Sequence, residues 1–530
     1  MKTGSYNSIL VTTLFALAIP VSGTAAQKHH HYKLIDMGTF GGPNSSSPSL
    51  NASGVTVGWS ATTIPKVPTQ NPLVCGGVDD IGPVVTIAFQ FKKGVLTSLG
   101  ALPGPSNCSE PFSVNDEGVI VGSSENGEFD ALTGGNVTRA VLWKDGKIED
   151  LGSLGGNQNL AFWINDRGQV VGWGSNNIPD PYSMIDSLFF QTANGTQTRA
   201  FLWEHGRIRD LGTLGGDDAA AGFINERGEV AGTSYTSTIP NPNTLLPPAD
   251  PFLWEPPTAE FPDGRMIDLG SFGGANGFSN ALNNRGQVIG GSSIASIPGA
   301  CYFLNFFTGC HPFLWDKGKL IDLNTSTSGG KPRSADWFND AGEIVGTAEF
   351  PAPGGAVFDA YLWRNGVAID LGHFSGDCGS RAWGINARGQ VVGASDILCD
   401  ANSDIPEGKP HHAFLWEDGD LVDLNSLVPP DSPLELVGTG PLSDVEVPNI
   451  NDRGEIVGVG APPGCDDFQI CGHAFLLIPC DEGHPDVEGC DYSLVDARST
   501  TQRLVSKNES HRVAPIFRQR FAGRFRLRRP

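Results

Sequence analysis

Along this chain an apolar residue, an asparagine, two mostly polar residues, a glycine and a short apolar run recur eight times, as LNASGVTVG, VNDEGVIVG, INDRGQVVG, INERGEVAG, LNNRGQVIG, FNDAGEIVG, INARGQVVG and INDRGEIVG. Apolar positions on both sides of a glycine-bearing break predict two antiparallel strands joined by a tight turn. The Asn side chain bonds the backbone two residues on, and the Gly takes the positive φ of a type I turn with a G1 bulge. The turn residues are Asn51 and Gly54, Asn115 and Gly118, Asn165 and Gly168, Asn225 and Gly228, Asn283 and Gly286, Asn339 and Gly342, Asn386 and Gly389, and Asn451 and Gly454. Their mean spacing, about 57 residues, falls in the range of propeller blades and solenoid coils.

Aligning the chain on this hairpin exposes the rest of the unit. Upstream lies an apolar strand ending in Trp, as AVLW at Ala140–Trp143, AFLW ending at Trp203, PFLW at Trp254 and Trp315, AYLW at Trp363 and AFLW at Trp416. A turn such as KDGK or WRNG follows, then a second strand of the type RIRDLG, then a Gly-rich link such as GTLGG. Each unit is therefore predicted to be a four-stranded antiparallel meander. The chain opens with HYKLIDMGTFGG, a second strand, and its last recognisable element is HAFLLI at His473–Ile478, a first strand. A ring closed by one blade shared between the termini needs this arrangement, whereas a capped open solenoid does not. The expected fold is all-β, a β-propeller of eight four-stranded blades over residues 27–479, closed by a blade shared between the N- and C-termini. Residues 480–530 are expected to hold a Cys480/Cys490 segment and a disordered basic tail.

The strings HAFLW at His412–Trp416, DLGTLGG at Asp210–Gly216 and INDRGQVVG at Ile164–Gly172 resemble the HAF family of probable extracellular repeats, from about Tyr32 to Ile478. The resemblance implies an extracellular, propeller-like repeat protein without an assigned activity.

In such a meander the turns after the first and third strands share one rim, and the other two kinds of connection share the opposite rim. The second rim carries the Gly-rich links and the long variable segments, read here as connections between blades: Ser60 to Ile87, Ser124 to Arg139, Ser175 to Arg199 and their counterparts. Long loops gathered at one end of a rigid scaffold are where binding usually lives. The ten cysteines fit the same scheme, with Cys75 paired to Cys108, Cys378 to Cys399, and the near neighbours Cys301 and Cys310, Cys465 and Cys471, and Cys480 and Cys490 paired locally. No CxxC is present, so disulfides are favoured over zinc.

Residues 1–26 read as a secretion signal, with Lys2, an apolar stretch from Ile9 to Ile19 and small residues to Ala26. That stretch is too short to span a bilayer, no later one is longer, and no transmembrane segment is expected. The net charge is −23, made of a tail after Asp496 carrying ten cations against Glu509 and an acidic remainder. The acidic body argues against nucleic acid as a partner, whereas the tail suits an anionic surface.

No GxSxG, HExxH, EF-hand or phosphate-cradling motif occurs. The acids of GGDDAA at Gly215 and SGDCGS at Ser375 read as polar loop residues. His311, His412 and His473 share a pre-strand position with Arg139 and Arg199, which argues against metal ligation. Cleavage after Ala26 would leave Gln27-Lys28-His29, where His29 could bind Cu(II) or Ni(II) with the terminal amine. Tyr182, Phe189, Phe306 and Phe307 are candidate sugar-stacking aromatics on loops. The expected role is extracellular binding or scaffolding without catalysis or cofactor, with a carbohydrate or protein partner. A propeller enzyme acting on polysaccharide and a structural surface protein are the alternatives.

Overall fold

The computed structural model describes residues 29–496 apart from 72–73, 76–81, 105–106, 185, 187–194, 296–300, 302–309, 326–328, 354, 397–411, 440–448 and 493–494. The signal segment, the basic tail, Gln27, Cys399, Phe189, Phe306 and Phe307 lie outside the described residues.

Apart from a two-stranded pairing of His29–His30 with Val495–Asp496, the described strands fall into eight antiparallel four-stranded units, numbered here in chain order. Unit 3 is typical, running from the inner strand Asn159–Ile164 through Val170–Asp180 and Gly195–Glu204 to the outer strand Arg207–Asp210. In unit 6 the inner position is held by two short pieces, Lys331–Pro332 and Trp337–Phe338. Single parallel pairs, Ala249 with Asn276 and Phe358 with Gly379, join units 4 to 5 and 6 to 7. The architecture is that of a β-propeller. Among the described residues no helix is long and apolar enough to cross a membrane.

Unit 8 contains Glu435–Gly438, Ile456–Ala461 and His473–Pro479 from the C-terminal part of the chain, with Tyr32–Asp36 from the N-terminal part as its outer strand. The termini thus share a unit, but the division of strands differs from the sequence reading. There the Trp-ending strand opened a unit; here it is third. The Gly-rich links turn out to be the connections between units, and the long variable segments lie inside them. The reason is backbone geometry: Gly212 and Gly215, both at positive φ, swing the chain out of one sheet and into the next. The long segments of units 2 and 3, meanwhile, extend the second and third strands into hairpin arms that pair as far as Asp130 with Gly135 and Asp180 with Gly195.

Packing follows the strand pattern. Phe89, Phe201, Phe252, Phe313, Phe414 and Phe475 of the third strands are fully buried, and the facing Gly58, Gly172, Gly232, Gly393 and Gly458 leave room for them: a Cβ there would approach the ring within 3 Å. These are the glycines of the Val-x-Gly runs, so the motif is a packing rule as well as a turn signal. Trp143 and Trp254 are buried at 2% exposure, consistent with packing rather than sugar stacking.

Candidate functional site

The rim bearing the tight turns is built around the eight asparagines. Each repeat glycine has φ between 74 and 85°, and its N–H bonds the Asn carbonyl three residues back, as Gly168 does to Asn165. The Asn amide also reaches into the next unit. The Nδ2 atoms of Asn51, Asn115, Asn165, Asn225, Asn283, Asn339, Asn386 and Asn451 each donate to the backbone oxygen of the following one, and Asn451 closes the circuit on Asn51 at 3.0 Å. At Asn165 the amide also donates to Gln169 Oε1, and its Oδ1 accepts from the N–H groups of Arg167 and Gln169. A second partial circuit runs beside it, with Asp116, Asp166, Glu226, Asn284 and Asp340 each accepting the N–H one residue after the preceding unit's Asn. This rim spends its amides on itself and offers no ring of free ones.

The axis is filled from the inner strands. Trp163 of unit 3 meets Trp337 of unit 6 at 5.7 Å between ring centroids, with Phe223 of unit 4 at 5.5 and 6.2 Å from them. Contact between units three apart can only occur across the ring. Register breaks just before the Asn turn, between Pro111 and Ser113, Ala161 and Trp163, and Ala382 and Gly384, are β-bulges that re-aim side chains. Around them sit Phe112 stacked on Phe162 at 5.0 Å, and Arg381 donating to the fully buried Asp336 at 2.9 Å with its guanidinium over Trp383. Glu110, also on an inner strand and 3% exposed, is pushed up to about 8 by burial.

On the opposite, loop-bearing rim the acids are internalised. Glu125, raised by burial, accepts the N–H groups of Asn71 and Cys108 and the amide of Asn136. The histidine and arginine position before the Trp-ending strand is a salt-bridge position. Arg139, Arg199, His311 and His473 face Asp150, Asp210, Asp322 and Asp36 of the neighbouring outer strand, and His412 faces Asp377. Those outer-strand aspartates also accept the N–H two residues on, as Asp210 does from Gly212. In unit 4 the position holds Asp250, whose carboxyl is pushed up to about 6 by burial and by Asp268. Asp377, of SGDCGS, also accepts the hydroxyl of Ser395.

Disulfides join Cys75 to Cys108, Cys301 to Cys310, Cys465 to Cys471 and Cys480 to Cys490, and Cys378 is disulfide-bonded. Cys75, Cys108 and Glu125 lie close enough to suggest a metal cluster, but the bond between the two cysteines removes both thiolates. His29 is buried at 2% exposure in a two-stranded pairing of His29–His30 with Val495–Asp496. Its ring nitrogens lie 3.6 Å from Glu417 and 3.7 Å from Asp420, and its pKa is raised by Glu417 first, against burial, with Asp420 adding. Tyr182 is half-buried.

Sequence reasoning missed the inter-unit role of the Asn amide and the pairing of the outer-strand Asp. Part of the signal was present: Gln or Glu four residues after six of the asparagines marks the amide's partner within its own turn, and an Asp stands eleven residues after each of Arg139, Arg199 and His311.

No protein-family model matches the chain, and no curated protein matches it. Among solved structures it is similar to the β-propeller domain of the Trilobed protease from Pyrococcus furiosus, with 10% identity, 72% of this chain and 97% of that one covered, and a TM-score of 0.38. It is also similar to the acylaminoacyl peptidase of Pyrococcus horikoshii (12% identity, 79% and 58% covered, TM-score 0.36) and to a PL25 ulvan lyase (11%, 76% and 100%, 0.33).

Proposed function

We propose that this chain is a secreted HAF-type repeat propeller that binds an extracellular protein through its loop-bearing rim. The observation that carries this reading is the placement of exposed apolar side chains. Phe129 and Leu132 in unit 2, Ile178 in unit 3, Ile239 and Leu245 in unit 4 and Ile470 in unit 8 are 40 to 74% exposed, and all lie on that rim, in the second-strand arms or the connections that follow the second strands. Val95, Ile321 and Val367 are exposed singly on outer strands, whereas apolar groups concentrated on one face of a scaffold mark a protein contact, and aliphatic tips offer little to a sugar ring, which stacks on aromatic faces. Four disulfides within the described body support export to an oxidising space.

The test places a photo-crosslinking residue at Ile239 on this rim and, as control, at Lys317 on the opposite rim, in the presence of proteins secreted by the source organism. A discrete adduct from position 239 alone, lost in the Phe129→Asp variant, is expected. No adduct together with glycan-array signals that survive Phe129→Asp would overturn the reading in favour of carbohydrate. A second reading, a propeller enzyme acting on polysaccharide, is favoured by Glu110 alone, since a carboxyl held neutral near pH 7 suits a general acid. Release of reducing ends from polysaccharide mixtures, abolished by Glu110→Gln, would establish it.

A further inference from the structure

We propose that Asp180 and Asp218 form a one-proton latch that fastens the loop-bearing end of unit 3 to unit 4 and loosens when Asp218 loses its proton. The proposal rests on the reading of that rim as the contact face only for its consequence; the latch itself stands on the following geometry.

Cys108, Gln158 and Asp218 occupy one equivalent place, in the link entering units 2, 3 and 4. The backbone oxygen of each accepts the N–H of a second-strand residue, Glu125, Ser175 and Tyr235, at 2.8 to 3.0 Å. Each side chain reaches back to the long connection of the preceding unit. Cys108 does so covalently, to Cys75. Gln158 does so by donating its Nε2 to Asp130 Oδ2 at 3.0 Å. At the third junction both partners are carboxyls. Asp218 is fully buried and Asp180 is 4% exposed; Asp180, paired with Gly195, holds the place that Asp130, paired with Gly135, holds one unit earlier, and Asp180 is among the causes that raise Asp218.

The donors around this pair are already assigned. Asp180 Oδ1 accepts the N–H of Tyr182 at 2.8 Å, and its Oδ2 is buried and meets no donor. Asp218 accepts the N–H groups of Thr198 and Met184, one on each oxygen. Two acceptors in contact bond only if one holds a proton, which then stands where the Gln158 amide hydrogen stands one junction earlier. Burial first, then Asp180, raises Asp218 well above the ordinary carboxylate range, against its backbone donors. The other charged groups near the junction do not supply a counter-charge to the pair. Asp186, in the same connection, is itself raised by burial with Asp130 adding, and Arg199 is engaged by Asp210 and the Asp217 carbonyl. A carboxyl whose folded pKa is raised contributes stability that is complete below the ordinary Asp range and is lost as pH rises through the folded value. The latch is closed in acid and opens on the alkaline side.

Amide hydrogen exchange on the full chain tests this, reading Tyr182, Met184 and Thr198 from about pH 4 to about pH 9, corrected for intrinsic exchange. In the wild type, protection at these three amides is expected to fall by up to about tenfold per pH unit between the ordinary Asp range and the raised titration of Asp218, and to level off above it. Asp180→Asn keeps the acceptor for Tyr182 and donates its Nδ2 to Asp218, so its protection should stay flat with pH. Asp218→Asn also supplies a donor but gives up one backbone acceptor, so its profile should be flat and lower. A wild-type profile that is already flat, or an Asp180→Asn profile that falls like the wild type, overturns the latch. Exchange needs no partner, so this result stands apart from the crosslinking at Ile239: loss of the adduct leaves the latch intact, and a flat wild-type profile leaves the binding face intact.

Discussion

An asparagine side chain carries two N–H donors and an oxygen with two lone pairs, and Asn165 uses all four, two within its own turn and one each toward Gln169 and the next unit. No other residue type of that size fills both roles. Asp would keep the turn acceptors but could not donate to Asn225, and Ala would lose everything. Each buried partner stranded this way costs about 1–3 kcal/mol. Asn165→Asp is therefore expected to cost about 2 kcal/mol and Asn165→Ala about 3, read as shifts of the urea midpoint at unchanged slope. If both variants unfold with the wild type, the circuit is decoration. Asp250 gives the residue scale its pH dependence. Its carboxyl is pushed up to about 6 by burial and by Asp268, so its stabilising effect is present below about pH 4 and is lost as pH rises through about 6. Asp250→Asn should flatten the stability profile across that window. Asp250→Arg would restore the cation that Arg139 and Arg199 supply in units 2 and 3, and a partly exposed pair of this kind should return about 0.5 kcal/mol at neutral pH.

At the scale of strands, the turns were legible because each is specified by its own residues. Asn-x-x-Gly spells one turn. The other is spelled by pairs such as Asp145-Gly146 and His205-Gly206, both residues at positive φ, which is the type I′ signature. The phase of the unit was not legible, because parity is blind to it: tight turns alternate with other connections whichever strand is counted first. Only hydrogen bonding across the link decides, and there Gly212 and Gly215 break the sheet that a short connection such as GTLGG suggested. Nor could bonds such as Asn225 to Asn283 be read, since they join residues 58 apart through the ring itself. The corrected phase changes what closure depends on. His473–Pro479 is an interior strand of unit 8, held by Ile456–Ala461 on one side and Tyr32–Asp36 on the other, so the N-terminal strand is the clasp. A chain beginning after Asp36 would bare the edge of His473–Pro479, and an unpaired edge templates aggregation. Light scattering and thermal unfolding of that truncation are expected to show self-association and an earlier transition; a monomer melting with the full chain would mean the clasp is dispensable.

For the whole molecule, closure makes eight units into one object, since the Asn circuit passes through each of them and returns to its start. Its two ends are stabilised differently. The tight-turn rim is uniform, the same amide bond repeated, whereas the loop-bearing rim uses different chemistry at the junctions entering units 2, 3 and 4. Between units 1 and 2 it is the bond from Cys75 to Cys108, 33 residues apart; between units 2 and 3 it is Gln158 with Asp130. A rim that varies while its scaffold repeats is the arrangement expected where contacts are specific to one partner. The covalent junction can be weighed against the hydrogen-bonded one. In the chain-entropy account a loop of that length stabilises by about 3–4 kcal/mol, several times the roughly 1 kcal/mol of a single hydrogen bond. The paired replacement Cys75→Ala with Cys108→Ala should therefore lower stability by about 3 kcal/mol, while Gln158→Leu should lower it by about 1–2. The backbone amides of the buried residues that line the covalent junction, Val74, Phe112 and Leu160, should then lose protection from hydrogen exchange before the tight-turn rim does. Equal loss from the two replacements, or early opening at the Asn circuit instead, would show that the bond from Cys75 to Cys108 carries no special share of the rim.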